Sequence, residues 1–339
     1  MIEPGLEPME ARLVEALPDG PGWQFEPKWD GFRCLVFKHG GDVFLQSKSG
    51  KPLARYFPEV AAGIAALPLD RVVLDGELLI PLGETLSFEA LQMRLHPAES
   101  RVRRLAAETP ARLMLFDCLW DEGVLADRPL AERRAALERF HSAHGSPMLH
   151  LSPATEDAAL AQRWLDAAGG ALDGVVAKRL DEPYRPGERA MLKVKCLRTA
   201  DCVVGGFRYA AKKREVGSLL LGLYDDAGLL HHVGFTSAIP TADRPALTER
   251  LEALVEPPGF TGDAPGGPSR WSTERTGEWE PLRAEFVAEV RYDHVTGRRF
   301  RHGTGFLRWR PDKAPRQCTM EQLGGEARPA LVEAALAKA

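Results

Sequence analysis

The stretch Glu26-Pro27-Lys28-Trp29-Asp30-Gly31-Phe32-Arg33 sets a lysine just before a turn and a strand. A side chain in that place can be held rigidly at the floor of a cleft. A lysine so held becomes a nucleophile once it sheds its proton. Shedding it needs neighbouring positive charge or desolvation. A K-x-D-G tetrapeptide arises often by chance, and read alone Lys28 is a surface lysine beside a turn.

The residues downstream change that reading. Asp75-Gly76-Glu77 follows a Val-Val-Leu strand, and Phe116-Asp117 sits inside Arg112–Trp120, an almost wholly apolar run read as a buried central strand. Asp173-Gly174-Val175-Val176-Ala177-Lys178 follows a helical stretch, then Lys193-Val194-Lys195, and Trp309-Arg310-Pro311-Asp312-Lys313 comes near the end. This ordered series, spread over residues 20 to 320, resembles the nucleotidyltransferase motifs of ATP-dependent DNA ligases, most of all the small two-domain bacterial members.

The resemblance implies an enzyme that seals 3′-OH/5′-phosphate nicks through a lysine–AMP intermediate, in DNA repair. It implies ATP and Mg²⁺ (or Mn²⁺) as cofactors, nicked double-stranded DNA as partner, and a cytoplasmic, nucleoid-associated bacterial monomer. It leaves open whether a repair polymerase or an end-binding protein recruits it. Lys28 would take the AMP. Lys193 and Lys195, two apart and therefore on one side of a strand, would hold the α-phosphate and favour the neutral Lys28 amine. Glu26 would help place the adenine amino group, Phe116 would stack on the base, and Glu77 would bond the ribose. Asp173, where the family usually has Glu, is the first candidate metal ligand, with Glu77 beside it. Lys178 would sit near the phosphates, and Arg310 and Lys313 would orient the β and γ phosphates. Arg33, Lys48 and Arg189 match positions that contact the nick or its 5′-phosphate; the family more often has Arg-Asn where this chain has Lys48-Ser49.

Without the series, most of these side chains have bland readings. Lys-Val-Lys is an exposed strand face, Phe116 is core, and the clusters Arg101–Arg104, Lys212–Arg214 and Arg298–Arg301 are solvated surface. With it, the clusters become expected backbone contacts, Lys212–Arg214 first, in a predicted hairpin. The net charge of -4 argues mildly against a nucleic-acid partner, although binding depends on where charge lies. The related readings are an mRNA-capping-type guanylyltransferase, an RNA ligase, and a binding module built from a dead enzyme.

The expected fold is α+β. An adenylation domain of antiparallel sheets with flanking helices spans 1–198, an OB-fold β-barrel spans 202–325, and a short helical tail spans 326–339. Strands are expected at Phe32–Phe37, Val43–Gln46, Val72–Ile80, Phe286–Tyr292 and Gly305–Trp309. Helices are expected at Phe57–Leu67, Leu130–Phe140, Thr155–Ala168 and Thr241–Val255. Between Val203 and Phe235, glycines are read as breaking the chain into short strands. Five cysteines, an odd number without a C-x-x-C pair, argue against a zinc ribbon or a disulfide framework. Met1–Glu10 lacks the features of a secretory signal, and no apolar run reaches the roughly 20 residues of a membrane span, so a soluble intracellular protein is expected. With 27 residues before Lys28, the helical DNA-binding domain of larger ligases is not expected.

Overall fold

The computed structural model describes residues 2–82, 85–166, 172–211, 213–266 and 278–323. The chain divides into two units, one running to Cys196 and the other covering Leu197–Gly325. The expected tail at 326–339 lies outside the described residues.

The first unit holds strands β1 (Ala11–Leu13), β2 (Trp23–Trp29), β3 (Phe32–His39), β4 (Asp42–Ser47) and β5 (Arg71–Leu79). It continues with a small hairpin, β6 (Pro81–Leu82) and β7 (Thr85–Leu86), then β8 (Arg112–Asp121), β9 (Leu149–Leu151), β10 (Leu172–Arg179) and β11 (Met191–Lys195). Its helices are α1 (Pro58–Ala65), α2 (Phe88–Arg94), α3 (Glu99–Glu108), α4 (Leu130–His144) and α5 (Ala158–Asp166). One sheet runs β1-β11-β10-β2 and the other β4-β3-β5-β8-β9. Most pairs are antiparallel, but β1 with β11 and β8 with β9 are parallel, so both sheets are mixed.

Period-two alternation sorts the residues of β3 and β5 between two cores. Cys34, Val36, Val72 and Leu74 pack outward with Phe57, Ile64, Leu137 and Phe140 from α1, α4 and the segment before α1. Leu35, Phe37 and Val73 face inward with Met9, Tyr184 and Met191. Burial on both faces explains why Val72–Ile80 is apolar almost throughout. On the far side of the other sheet, α5 lays Ala161 and Trp164 against Phe25, Val175 and Ala177. The unit is thus two facing sheets with helices outside. The five cysteines are free thiols, four of them buried.

The second unit holds β12 (Arg198–Ala210), β13 (Lys213–Tyr224), β14 (Leu230–Thr236), α6 (Arg244–Glu252), β15 (Glu280–Pro281), β16 (Val287–Tyr292), the hairpin β17 (Val295–Thr296) and β18 (Arg299–Phe300), and β19 (Gly305–Trp309). Three expectations change here. The short strands foreseen between Val203 and Phe235 are long ones of 13, 12 and 7 residues. Their glycines mark irregularities within the pairing. The register shifts between Val204 and Gly206, around Gly217, and between Leu221 and Gly222. Such bulges bend a strand without ending it. The helix foreseen at Thr241–Val255 opens as a 3-10 turn at Thr241–Asp243, with Pro245 at the start of α6. The barrel is also not closed by a ladder. The main sheet runs β14-β13-β12-β16-β19, and its two ends meet in a single bridge, Thr236 with Thr304, where the Thr236 hydroxyl donates to the Thr304 carbonyl at 2.8 Å.

Among the described residues no helix is long and apolar enough to cross a membrane.

Candidate active site

Strand register builds one wall of a cleft in the first unit. Gly174 of β10 stands opposite Lys28 of β2 on one side and Lys195 of β11 on the other. Two residues along, Val176 stands opposite Glu26 and Lys193. Directly paired residues point to the same face, so Lys28, Glu26, Lys193 and Lys195 share it. Lys28 itself lies on a strand, its penultimate residue, ahead of the turn at Asp30-Gly31.

The register between β10 and β2 slips between Leu172 and Gly174, leaving Asp173 as the extra residue beside Lys28. A bulge re-aims a side chain. Here the Asp173 carboxylate, 5% exposed, pairs with Lys28 and lies 3.3 Å from Lys195 Nζ. Gly174 makes the bulge possible. Its φ is +140°, and a Cβ there would run into the Val194 carbonyl oxygen. Gly31 is required by close approach instead, because a Cβ would meet the Leu78 carbonyl of β5.

The facing wall comes from β3, β5 and β8. Arg33 pairs with Glu77 in register. The Arg33 guanidinium donates to both oxygens of buried Asp75 at 2.5 Å and to the Met9 carbonyl at 3.2 Å. Tyr184 completes the knot, donating its hydroxyl to Asp75 at 2.7 Å while accepting the Met9 amide at 2.9 Å. Phe116 is only half-buried, although Leu115 and Asp117 on either side are buried. Its ring centroid lies 4.7 Å from the Arg33 guanidinium and 4.8 Å from Lys178 Nζ. It is therefore a cleft aromatic between two cations and not core. Lys178 pairs with Glu26 at 2.8 Å and donates to the Phe116 carbonyl at 3.2 Å, and Gln24 donates to Glu26 at 2.7 Å. Trp29, beside Lys28, is fixed by its indole N–H donating to the Ser152 hydroxyl at 2.9 Å.

Charge in the cleft is unevenly compensated. Burial lowers the Lys193 pKa, and the nearby cations Lys28, Lys195 and Lys48 lower it further. Burial pushes the Glu77 carboxyl up to about 7, against the pull of Arg33 and Lys28. Among the described residues no cluster of three His, Cys, Asp or Glu is placed to hold a metal. Isolated hard-oxygen donors at Asp173 and Glu77 still fit a magnesium-type ion, which takes one or two carboxylates and fills its other positions with phosphate oxygens and water.

The structure brings Glu26, Lys28, Arg33, Lys48, Glu77, Phe116, Lys178 and Lys193 to the lining of one cleft. Asp173 joins it through Lys28, and Lys195 through Asp173. Arg189 stands at the rim, 74% exposed and 4.0 Å from Glu10. Arg310 and Lys313 lie in the second unit, where Asp201 takes both at 2.9 and 2.7 Å. Of the foremost basic cluster, Lys212 lies outside the described residues, Lys213 opens β13, and Arg214 pairs with Glu252 at 3.0 Å.

Sequence reading missed Met9, Glu10, Tyr184 and Asp201. Glu10 pairs with Lys48 at 3.1 Å, and Pro8–Ala11 lines the cleft. No spacing pattern marks the Met9–Tyr184 contact, which joins residues 175 apart in the chain. Asp201 has one sequence signal, an acid close to the change of unit in a chain whose last motif is rich in cations.

A family model described as the ATP dependent DNA ligase domain matches residues 8–195, and one described as the ATP dependent DNA ligase C terminal region matches residues 212–313. The chain is 48% identical over 340 residues to DNA ligase C2 of Mycolicibacterium smegmatis, covering 95% of each. It is 45% identical over 340 residues to DNA ligase C of Mycobacterium tuberculosis, covering 95% of this chain and 94% of that one. The solved ligase domain of M. tuberculosis LigD is similar at 28% identity and a TM-score of 0.50, over 94% of this chain and 99% of that chain.

Proposed function

The chain belongs to the ATP-dependent DNA ligases, and from that premise we propose that Lys28 carries the AMP with which it seals 3′-OH/5′-phosphate nicks in duplex DNA. The observation that carries this reading is the shared strand face of Lys28, Lys193 and Lys195, in the cleft that Phe116, Glu77 and Lys178 also line.

In the first step the Lys28 nitrogen, having lost its proton, attacks the α-phosphorus of ATP. The N–P bond forms, the bond from that phosphorus to the oxygen bridging to the β-phosphate breaks, and pyrophosphate leaves. Negative charge gathers during the step, and prearranged cations lower its barrier. Lys193 and Lys195 supply two of them. Phe116 offers the adenine a stacking face, Glu26 and its partner Lys178 meet the base and the phosphates, and Glu77 accepts the ribose hydroxyls. Asp173 and Glu77 would hold Mg²⁺ (or Mn²⁺), which when bound neutralises phosphate charge. Asp173 thereby has two tasks, since its carboxylate is also the partner of Lys28.

Arg310 and Lys313 act on the β and γ phosphates when the second unit closes, and the unit then opens to admit DNA. The hinge expected near Arg198–Asp201 moves back to the change of unit at Cys196 and Leu197, because Arg198–Asp201 is already paired with β16. In the second step an oxygen of the DNA 5′-phosphate attacks the AMP phosphorus and the N–P bond to Lys28 breaks. In the third, the 3′-hydroxyl attacks the 5′-phosphate and AMP leaves. Lys48 and Arg189 would receive the 5′-phosphate. Arg33, held by Asp75, contributes more as a fixed cation under Phe116 than as a mobile phosphate contact. The enzyme acts as a cytoplasmic, nucleoid-associated monomer, in DNA repair, where gap filling leaves such nicks. Nicked DNA duplexes and nicked RNA duplexes, each given ATP or GTP, test this function. Sealing of DNA with ATP is the predicted result, and sealing confined to RNA or to GTP would contradict it.

A further inference from the structure

Asp201 stands near the start of β12, where the second unit begins. Its carboxylate is 12% exposed and takes three bonds from the final motif, two from Arg310 Nη1 at 2.9 and 3.0 Å and one from Lys313 Nζ at 2.7 Å. Its backbone is clamped from elsewhere. The Asp201 amide donates to Gln322 at 2.9 Å, and Gln322 donates to the Asp201 carbonyl at 3.0 Å. Strand pairing with Glu289 of β16 fixes the same backbone again. The fold therefore holds Asp201 in place by its backbone, and the carboxylate serves the two cations. Arg310 is steadied on its other edge by Asp312 at 2.8 Å, whereas the Lys313 ammonium is oriented by Asp201.

We propose that Asp201 is a positioning residue for lysine adenylation, holding Arg310 and Lys313 as one preset pair of donors for the departing pyrophosphate. Two cations three residues apart on a loop repel each other and lose orientation without a common acceptor. A carboxylate converges them on two oxygens at a spacing close to that of a phosphate edge. Binding to phosphate then needs little reordering of either side chain, which is where preset geometry lowers a barrier. Because Asp201 lies near the start of β12, the first strand of its unit, the same contact ties that strand to the motif that the unit delivers. The inference rests on the reading that Arg310 and Lys313 act in the first step.

The test separates the first step from the last. Asp201→Asn keeps the shape and removes the charge. With ATP, the rate of Lys28 adenylation at saturation falls roughly 10- to 100-fold, while sealing of a nick already carrying 5′-adenylate proceeds as in the wild type. An Asn variant that adenylates as fast as the wild type, or faster, overturns the proposal. So does one in which both steps fall in the same proportion, as a merely structural role requires. Arg310→Ala is the control. If it adenylates normally, the reading of the final motif fails and the proposal with it. If it is slow while Asp201→Asn is not, the proposal alone fails. Should Asp201→Asn not fold, Gln322→Ala loosens the same residue, and it is expected to slow adenylation with pre-adenylated sealing intact. Unchanged adenylation in that variant is equally contrary.

Discussion

The Glu77 carboxyl is pushed up to about 7 because burial disfavours its charge more than Arg33 and Lys28 favour it. It is protonated below about pH 7 and ionised above. If the carboxylate is the form that accepts ribose and metal, binding of ATP pays for ionisation at low pH. Affinity should then fall by about tenfold per unit below the Glu77 pKa and level off above it. Calorimetric titration of ATP across that range checks this, and Glu77→Gln should bind more weakly with that part of the pH dependence gone. A wild-type profile identical to that of the Gln variant would remove Glu77 from the nucleotide site. Phe116→Ala should weaken ATP binding by about 1–3 kcal/mol through the missing stacking face, measured the same way. At this scale much of the site was legible, since a lysine, two acids around a glycine and a Lys-x-Lys pair keep their order along the chain. The half-burial of Phe116 was not, because RLMLFDCLW reads as uniform core. Nor was the Met9–Tyr184–Asp75–Arg33 knot, which depends on contacts between distant segments.

Strand β10 sets Asp173 beside Lys28 through a bulge. Asp173 reaches Lys28 because Gly174 adopts φ +140° and lets the register slip by one residue. Gly174→Ala forces a Cβ against the Val194 backbone and should cost about 1–3 kcal/mol of stability or more. Lys28 adenylation should fall further than the stability loss explains, because Asp173 is re-aimed. Urea unfolding and the adenylation rate, measured on the same sample, decide this; normal values for both would mean that the bulge is incidental. Element positions were readable where apolar residues run together, as in β3, β5 and β8, or recur at helical spacing, as in α4. They were misread in β12 and β13, where glycines permit irregular pairing within long strands and do not end them. Propensity registers a glycine as a break, while cross-strand hydrogen bonds on both sides carry the strand through it.

For the whole molecule, a net charge of -4 must coexist with a polyanionic partner, so DNA contacts have to be local and steeply dependent on salt. Alanine at Lys212, Lys213 and Arg214 together should weaken nick binding and reduce the slope of log affinity against log salt by about 0.9 for each phosphate no longer neutralised. An unchanged affinity at moderate salt would remove this cluster from the interface, leaving Arg214 to its contacts with Glu252 and Tyr209. Composition could not reveal this distribution, since the sum of charges hides where they lie. The expected domain ranges leave a boundary at 198–202 and the chain changes unit between Cys196 and Leu197, whereas the meeting of the open sheet's edges at Thr236 and Thr304 depends on a pairing with no local signature. The claim on which every step depends is that Lys28 is the residue that carries AMP. Intact-mass measurement of the wild type and of Lys28→Ala, each incubated with ATP and Mg²⁺, tests it most directly. One added AMP on the wild type and none on the variant is the predicted result, and an adenylated Lys28→Ala protein would contradict it.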